Sequence, residues 1–225
     1  MKIIAIIPAR DNSKRIKNKN LLKINKSPIL KINFKNLKKM NLFDKIILST
    51  ESKRIKKLAK KIKFDYVIDR PQSLAEDNVS TTAVMSHGID YLKKKLDFSH
   101  LCCIYPMSIL IQKNDILSAI KILKRDNEII FSSLKYSHPI QRAFNISKDF
   151  KIKHFFKEKL TFKNTQSFHS SYHDAGQFYI GHYRAWKNYY KSKKKSIVLP
   201  STRAVDVDND DDFELLKAIY KYNQK

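Results

Sequence analysis

Three stretches of the 225-residue sequence concentrate residues that could do chemistry. The first is Pro8-Ala9-Arg10-Asp11-Asn12-Ser13-Lys14-Arg15, running on to Lys19-Asn20. Within it Arg10, Lys14, Arg15, Lys17 and Lys19 supply five cations and Ser13 a hydroxyl. A polyphosphate needs donors and neutralising charge of this kind. The segment has no glycine, so neither the dinucleotide-binding fingerprint nor the Walker loop describes it. A solvated basic loop in a Lys-rich chain is the competing reading. The second stretch runs from Val205 to Asp212 and reads VDVDNDDD. Its alternation places Asp206 and Asp208 on one side of an extended segment, with Val205 and Val207 on the other. Two such carboxylates can hold Mg²⁺, a hard cation that usually takes one or two carboxylates plus substrate phosphate oxygens. The run equally suits the acidic first turn of a helix. Spacing excludes an EF-hand: counting from Asp206, Asp211 falls where glycine is required and Lys217 where the bidentate Glu belongs.

The third stretch, YHDAGQFY from Tyr172 to Tyr179, contains a His173-Asp174 pair. With Gly181 just beyond, it holds two of the chain's three glycines, Gly176 and Gly181. Glycine inside a strand marks a bulge or a close backbone approach. The His-Asp pair is compatible with metal phosphohydrolase chemistry or with a packed strand end. A shorter segment, Pro139-Ile140-Gln141-Arg142, carries one of only eight arginines. Its guanidinium suits a substrate carboxylate or an ion pair within a surface arm.

Positioning these groups falls to a regular alternation of elements. Lys2 to Ile7 is an apolar run ending at Pro8, the pattern of a strand buried on both faces and therefore central. Ser27 is expected to cap a helix with Pro28 at its first position and Leu30, Phe34 and Leu37 along one stripe. Strands follow at Lys45 to Thr50 and Phe64 to Asp69, flanking a helix capped by Ser52 that carries Ile55, Leu58, Ala59 and Ile62. After a loop from Arg70 to Val79, Ser80 caps a helix with Met85, Ile89, Leu92 and Leu96. A strand at His100 to Tyr105, a helix capped by Asn114 and a strand at Glu128 to Leu134 come next. The alternation implies an α/β domain with a parallel sheet covered on both faces. In such sheets ligands bind at the carboxyl ends of the strands, where the basic loop leaves the first one.

The rhythm breaks over 135–171, where Phe155-Phe156, Phe162 and Phe168 lie among polar residues with no core of their own. An arm burying its aromatics against a second subunit is the favoured reading, a surface insertion the other. The α/β domain then comprises 1–134 and 172–225, resuming with a strand at Gln177 to Gly181 and a helix near Tyr183 to Tyr190. Strands at Ile197 to Leu199 and Val205 to Val207 and a last helix from Asp210 to Tyr222 complete it.

Composition narrows the function classes. Lys and Arg number 46 against 21 Asp and Glu, a formal net charge of +25. Only eight of those cations are Arg, whereas nucleic-acid readers favour Arg for its planar fork. Lys pairs and triplets such as Lys93-Lys94-Lys95 fall on polar helix faces or ends, so a solvated coat is favoured over a nucleic-acid footprint and no nucleic-acid partner is expected; a basic nucleic-acid-binding protein is the alternative of another class. No apolar run reaches membrane-spanning length, and MKIIAIIPAR has no cleavage site of the signal-peptide kind, so a cytoplasmic location is expected. Cys102 and Cys103 are adjacent and should point to opposite faces of a strand in a reducing compartment.

Taken together, IPARDNSKRIKNKN, Arg70-Pro71 followed by Asp77, CCIYP at 102–106 and VDVDN at 205–209 resemble the CMP-sialic acid synthetase family. Its members are nucleotidylyltransferases that make CMP-activated nonulosonic acids. The likeness spans nearly the whole chain, and CCIYP, PIQRA and YHDAGQFY are most similar to the branch acting on pseudaminic acid. It implies a Rossmann-like nucleotidyltransferase fold with a small protruding dimerisation element, a homodimer, and transfer of CMP from CTP to a nine-carbon sugar acid with Mg²⁺. On this resemblance Arg10, Ser13, Lys14, Lys19 and Asn20 bind the triphosphate, and Arg70, Asp77 and Val79 border the nucleotide. Asp206 and Asp208 hold the metal. Tyr105, Gln141, Arg142, His173, Asp174 and Gln177 border the sugar. Arg10, Lys19, Asp206 and Asp208 form the catalytic set.

Two departures stand out. Asp11-Asn12 replaces the family's usual Gly-Gly, bringing a carboxylate toward a triphosphate unless it is turned away or bound to metal; Asn12, which tolerates positive φ, can replace one glycine. Met107 to Leu110 (MSIL) stands where relatives often have Thr-Ala-Pro-Phe. These departures also raise the reading of an inactive relative that retains the fold.

Overall fold

The sheet is built around β1 (Ile3–Pro8), whose isoleucines are buried on both faces. In the computed structural model, residues 1–11 and 13–223 are described, apart from the side chains of Glu158 and Leu160, so the expected positive φ of Asn12 lies outside the described residues. A two-residue hairpin, β2 (Lys23–Ile24) and β3 (Ser27–Pro28), leads into α1 (Ile29–Met40). Then come β4 (Lys45–Thr50), α2 (Lys53–Ile62), β5 (Tyr66–Asp69), α3 (Thr81–Lys93), β6 (His100–Ile104), α4 (Lys113–Ile122) and β7 (Glu128–Lys135). The excursion that follows holds β8 (Phe144–Ile146), β9 (Ile152–His154) and the short α5 (Glu158–Thr161). The chain returns through β10 (Tyr172–His182), α6 (Tyr183–Lys187), β11 (Lys193–Val198) and α7 (Asp210–Tyr222).

Seven strands form one sheet in the order β11-β7-β10-β6-β1-β4-β5. All neighbours are parallel except β10, which is antiparallel to both β6 and β7. β10 enters from the excursion rather than from a crossover helix, so nothing obliges it to run parallel. One face packs Ala5, Ile7 and Cys102 against Leu30, Phe34, Ile55 and Ile116 of α1, α2 and α4. The other packs Ile4, Ile6 and Cys103 against Met85, Ile89 and Trp186 of α3 and α6. The adjacent cysteines thus do face opposite ways, both free. A third cluster matters for the site: Ile16, Ile29, Met107 and Ile109 pack against Val205, Val207, Phe213 and Leu216. It ties the basic loop, the turn after β6 and α7 together at the carboxyl ends of the strands.

Ser52 and Ser80 cap α2 and α3 as expected, their hydroxyls accepting from the backbone N–H of Ile55 and Ala83. Three local expectations are corrected. Ser27 does not cap α1, because it pairs with Ile24 in the hairpin closed by Asn25 and Lys26 at positive φ. The α4 cap is Gln112 rather than Asn114, because Asp115 reaches back to the Gln112 N–H at 2.8 Å and closes a capping box. Val205 to Val207 forms no strand: the Val205 carbonyl accepts from the Gln177 side chain at 3.1 Å instead of a ladder partner, although the expected alternation of buried valines and outward carboxylates holds. No helix among the described residues is long and apolar enough to cross a membrane.

At the sheet end away from the basic loop, His100 and His182 face each other with ring centroids 5.2 Å apart. Burial, then the His182 ring, lowers the His100 pKa to about 4. The unfolded chain therefore takes up a proton near pH 6.5 that the folded chain refuses until about pH 4. Stability should fall as pH drops through that window, and His100→Gln should flatten the fall; urea midpoints at pH 7.0, 5.5 and 4.5 check it.

Candidate active site

Strand ends and three loops enclose a cleft of about 750 Å³. Pro8 and Arg10 come from the end of β1, and Ser13, Lys14, Arg15, Lys19 and Asn20 from the basic loop. Arg70, Asp77 and Val79 follow β5, Thr81 opens α3, and Tyr105 to Met107 follow β6. Asp174, Gly176 and Tyr179 come from β10, and Asp206 and Asp208 precede α7. Twelve of the sixteen residues anticipated from the sequence line this cleft. The other four do not. Gln177 is buried beneath it, its amide donating to the carbonyls of Ala175 and Val205 at 2.8 and 3.1 Å. His173 packs on Tyr136 with centroids 4.7 Å apart. Gln141 and Arg142 sit in a turn of the excursion, where Arg142 donates to the Lys163 carbonyl at 2.9 Å.

Opposed charges organise the cleft. On one side Asp77 holds Arg10 at 2.6 Å and Lys14 at 2.7 Å, and these bonds, Lys14's first, keep its carboxyl below the usual range. On the other, Arg15 pairs with Asp208 at 2.5 Å, and Lys19 donates to the Val207 carbonyl. Burial pushes the Lys19 ammonium down, with Asp208 and Asp206 acting against it. Asn20, itself buried, donates to the Arg10 carbonyl at 2.8 Å and so closes the loop from inside.

Asp206 differs from Asp77, Asp174 and Asp208. It has neither hydrogen bond nor ion pair among the described residues, and burial, followed by the Asp208 charge, raises its pKa. Gly176, at φ 60°, makes room for it: a Cβ there would lie 3.1 Å from the Asp206 carboxyl carbon. A hard cation would relieve the partly desolvated Asp206 beside the Asp208 charge, and all-oxygen donors suit Mg²⁺, so the residues present fit the ion. No group of three or more His, Cys, Asp or Glu among the described residues is arranged to hold a metal by itself. Substrate oxygens would therefore have to complete the coordination, as is usual for Mg²⁺.

Asp11 is turned away from the cleft. Its carboxylate accepts from Ser52 Oγ at 2.9 Å and Arg54 Nη2 at 2.8 Å, and its N–H donates to Glu51 at 2.7 Å. The repulsion its sequence position threatens is thereby removed. Glu51 also pairs with Arg70 at 2.5 Å, both side chains more than nine-tenths buried. Arg70 Nε remains a buried donor with no partner among the described residues.

Several lining residues went unassigned at the level of sequence. Arg15, in sequence only one cation among five, makes the direct contact to Asp208. Thr81 bonds the Tyr105 hydroxyl at 2.9 Å, and Tyr179 donates to Asp174. Strict alternation from Asp174 would aim Phe178, not Tyr179, into the cleft. A register shift around Gly176 changes the parity. The glycine was the available signal.

The cytidylyltransferase family profile matches residues 4–225. The chain belongs to the cytidylyltransferase family. It is 32% identical to pseudaminic acid cytidylyltransferase of Campylobacter jejuni strain 81-176, over 100% of this chain and 99% of that one. It is 26% identical to N-acylneuraminate cytidylyltransferase of Escherichia coli, over 95% of this chain and 51% of that one. Among solved structures, CMP:2-keto-3-deoxy-manno-octonic acid synthetase complexed with CTP superposes with a TM-score of 0.70 at 13% identity, covering 99% of this chain and 100% of that chain. A 4-diphosphocytidyl-2C-methyl-D-erythritol synthase gives 0.68 at 10% identity, over 97% and 98%. Both likenesses speak for the fold alone. The resemblance read from the motifs and the Rossmann-like nucleotidyltransferase fold it implied are borne out.

In this cytidylyltransferase, Glu51→Ala should strand the Arg70 charge in the interior and release the Asp11 N–H. Removing one partner of a buried pair costs about 3–5 kcal/mol. Urea unfolding checks it; a loss below about 1 kcal/mol would mean that the pair is solvated.

Proposed function

We propose that this cytidylyltransferase transfers CMP from CTP to a nonulosonic acid, with pseudaminic acid as the acceptor, releasing pyrophosphate. One observation carries the reading: a cationic loop at the end of β1 and the Asp206 and Asp208 carboxylates line a single cleft with room for a nucleotide and a sugar. The full-length likeness to the C. jejuni pseudaminic acid enzyme supports that acceptor over sialic or legionaminic acid.

The reaction needs the anomeric hydroxyl of the sugar to attack the α-phosphorus of CTP while negative charge departs with pyrophosphate. The protein's part is positioning and charge stabilisation; no covalent enzyme intermediate is needed. Arg10, Ser13, Lys14, Lys19 and Asn20 would take the triphosphate, Arg10 and Lys14 exchanging Asp77 for phosphate oxygens. Arg15 would follow the same exchange from Asp208. The unpaired Arg70 Nε, near Asp77 and Val79, suits an acceptor on the nucleotide. Tyr105 and Asp174 line the remaining volume, where the sugar would sit. Burial raises the pKa of Asp174, which makes it a competent acceptor for a hydroxyl hydrogen bond. Asp206 and Asp208 would hold Mg²⁺, which when bound neutralises phosphate charge and lowers the pKa of a coordinated hydroxyl.

We also infer a homodimer through the excursion between β7 and β10. Its Ile146, Phe150, Phe155 and Phe162 are 60–87% exposed, and large apolar side chains gathered on one exposed segment suit burial against a second subunit. Gln141 and Arg142 belong to the same segment and are proposed there as arm residues rather than as lining of their own chain's cleft. A cytoplasmic location is inferred from the need for CTP and from the two free thiols.

Pyrophosphate release from CTP and Mg²⁺ with each acid in turn tests the reading; turnover should be fastest with pseudaminic acid, and none with any acid rules the reading out. Asp208→Ala should lower turnover on the order of 10²–10³-fold, and undiminished activity would remove the metal assignment. For the arm, Phe150→Asp with Phe162→Asp should shift the mass measured by light scattering from dimer to monomer.

A further inference from the structure

Outside the cleft lining, one side chain ties the basic loop shut. Arg54, in the first turn of α2, donates through Nη2 to Asp11 Oδ1 at 2.8 Å and to Asn18 Oδ1 at 2.7 Å, and through Nε to Asp11 Oδ2 at 3.4 Å. A single guanidinium therefore bridges the two ends of the segment from which Ser13, Lys14 and Arg15 reach into the cleft. The Asp11 end is fixed a second time from the end of β4, by the Ser52 hydroxyl and the Glu51 carboxylate. At the other end Asn18, at φ 56°, turns the chain into Lys19 and Asn20. The loop has no glycine to set a tight turn, and side-chain bonds from α2 supply the constraint instead.

We propose that Arg54 is a positioning residue for the nucleotide's phosphates: with Asp11 and Asn18 it staples the loop so that Ser13, Lys14 and Arg15 are held ready before the nucleotide arrives. The proposal rests on the cytidylyltransferase reading of the same cleft. Arg54 is well exposed, so its contribution to global stability is small, and its effect is concentrated in how the loop meets phosphate.

Titration calorimetry of CTP with the full chain, without sugar acid, separates a staple from a bystander charge. Arg54→Ala should weaken CTP binding about three- to tenfold, with Arg54→Lys in between, because a point charge keeps the sign but not the planar fork. Asp11→Ala decides between the alternatives. Simple electrostatics predicts tighter CTP once a carboxylate near the triphosphate is gone, whereas the staple predicts weaker CTP. The double variant should be no worse than the weaker single one. In turnover, KM for CTP should rise while kcat and KM for the sugar acid stay within about twofold and the melting temperature barely moves. Tighter CTP in Asp11→Ala, additive losses in the double variant, or equal losses for CTP and sugar acid would each overturn the proposal. A wild-type chain that binds CTP but releases no pyrophosphate with any acid would refute the acceptor reading and leave the staple standing on its own binding data. A wild-type chain that binds no CTP would refute both.

Discussion

Everything in the cleft depends on the pairing of its opposed charges. Asp77 occupies Arg10 and Lys14, and Asp208 occupies Arg15. Without those carboxylates the loop cations would repel one another at the end of β1. Asp206 breaks the pattern. It lies beside Asp208, partly desolvated, with no cation directly on it. Its direction is fixed, because Val205 and Val207 on either side of it are buried.

That opposition exists only because two segments nearly two hundred residues apart are held at the same edge of the sheet. β1 sends the basic loop out at its carboxyl end. The segment before α7 reaches the same edge because Val205, Val207, Phe213 and Leu216 share a core with Ile16, Ile29, Met107 and Ile109. The MSIL departure after β6 belongs to this packing: Met107, Ile109 and Leu110 are buried in it, and Ser108 donates to the Gln177 carbonyl at 2.9 Å. Apolar side chains there serve the joint that sets the distance between the two charged walls. From α1, Asn33 holds the same turn by donating to the carbonyls of Tyr105 and Pro106.

Elements with strong local signals were legible in the sequence. The isoleucine run of β1, the Ser52 and Ser80 caps and the acidic start of α7 each specify their structure within a few residues, and the structure agrees with each. What escaped depended on contacts distant along the chain. Ser27 looks like a cap until Asn25 and Lys26 close a hairpin, and Asn114 looks like one until Asp115 bonds back to Gln112. The direction of β10 depends on where the excursion delivers the chain. In the site, the cationic loop and the paired carboxylates were legible because their chemistry is carried by residue type and spacing. Gln177 was misassigned because burial, not type, decides its role, and Arg54 was invisible because its partners Asp11 and Asn18 are 43 and 36 residues away.

The net charge of +25 invites the idea that the cleft is a positive funnel for an anionic nucleotide. Its lining says otherwise. Arg10, Lys14, Arg15, Lys19 and Arg70 are matched there by Glu76, Asp77, Asp174, Asp206 and Asp208, five cations against five carboxylates. The excess positive charge lies elsewhere, on faces such as α2, whose Lys57, Lys60 and Lys61 are exposed while Ile55 and Ala59 are buried against the sheet. A formally neutral cleft gains little from a triphosphate by charge alone, because each cation that turns to phosphate leaves a carboxylate behind. On the proposed reading, a divalent cation held by Asp206 and Asp208 would offset the carboxylates that those cations leave. Charge balance, more than the basic composition, therefore sets what the cleft asks of an anionic ligand: a matching positive charge for the carboxylates freed at Asp77 and Asp208.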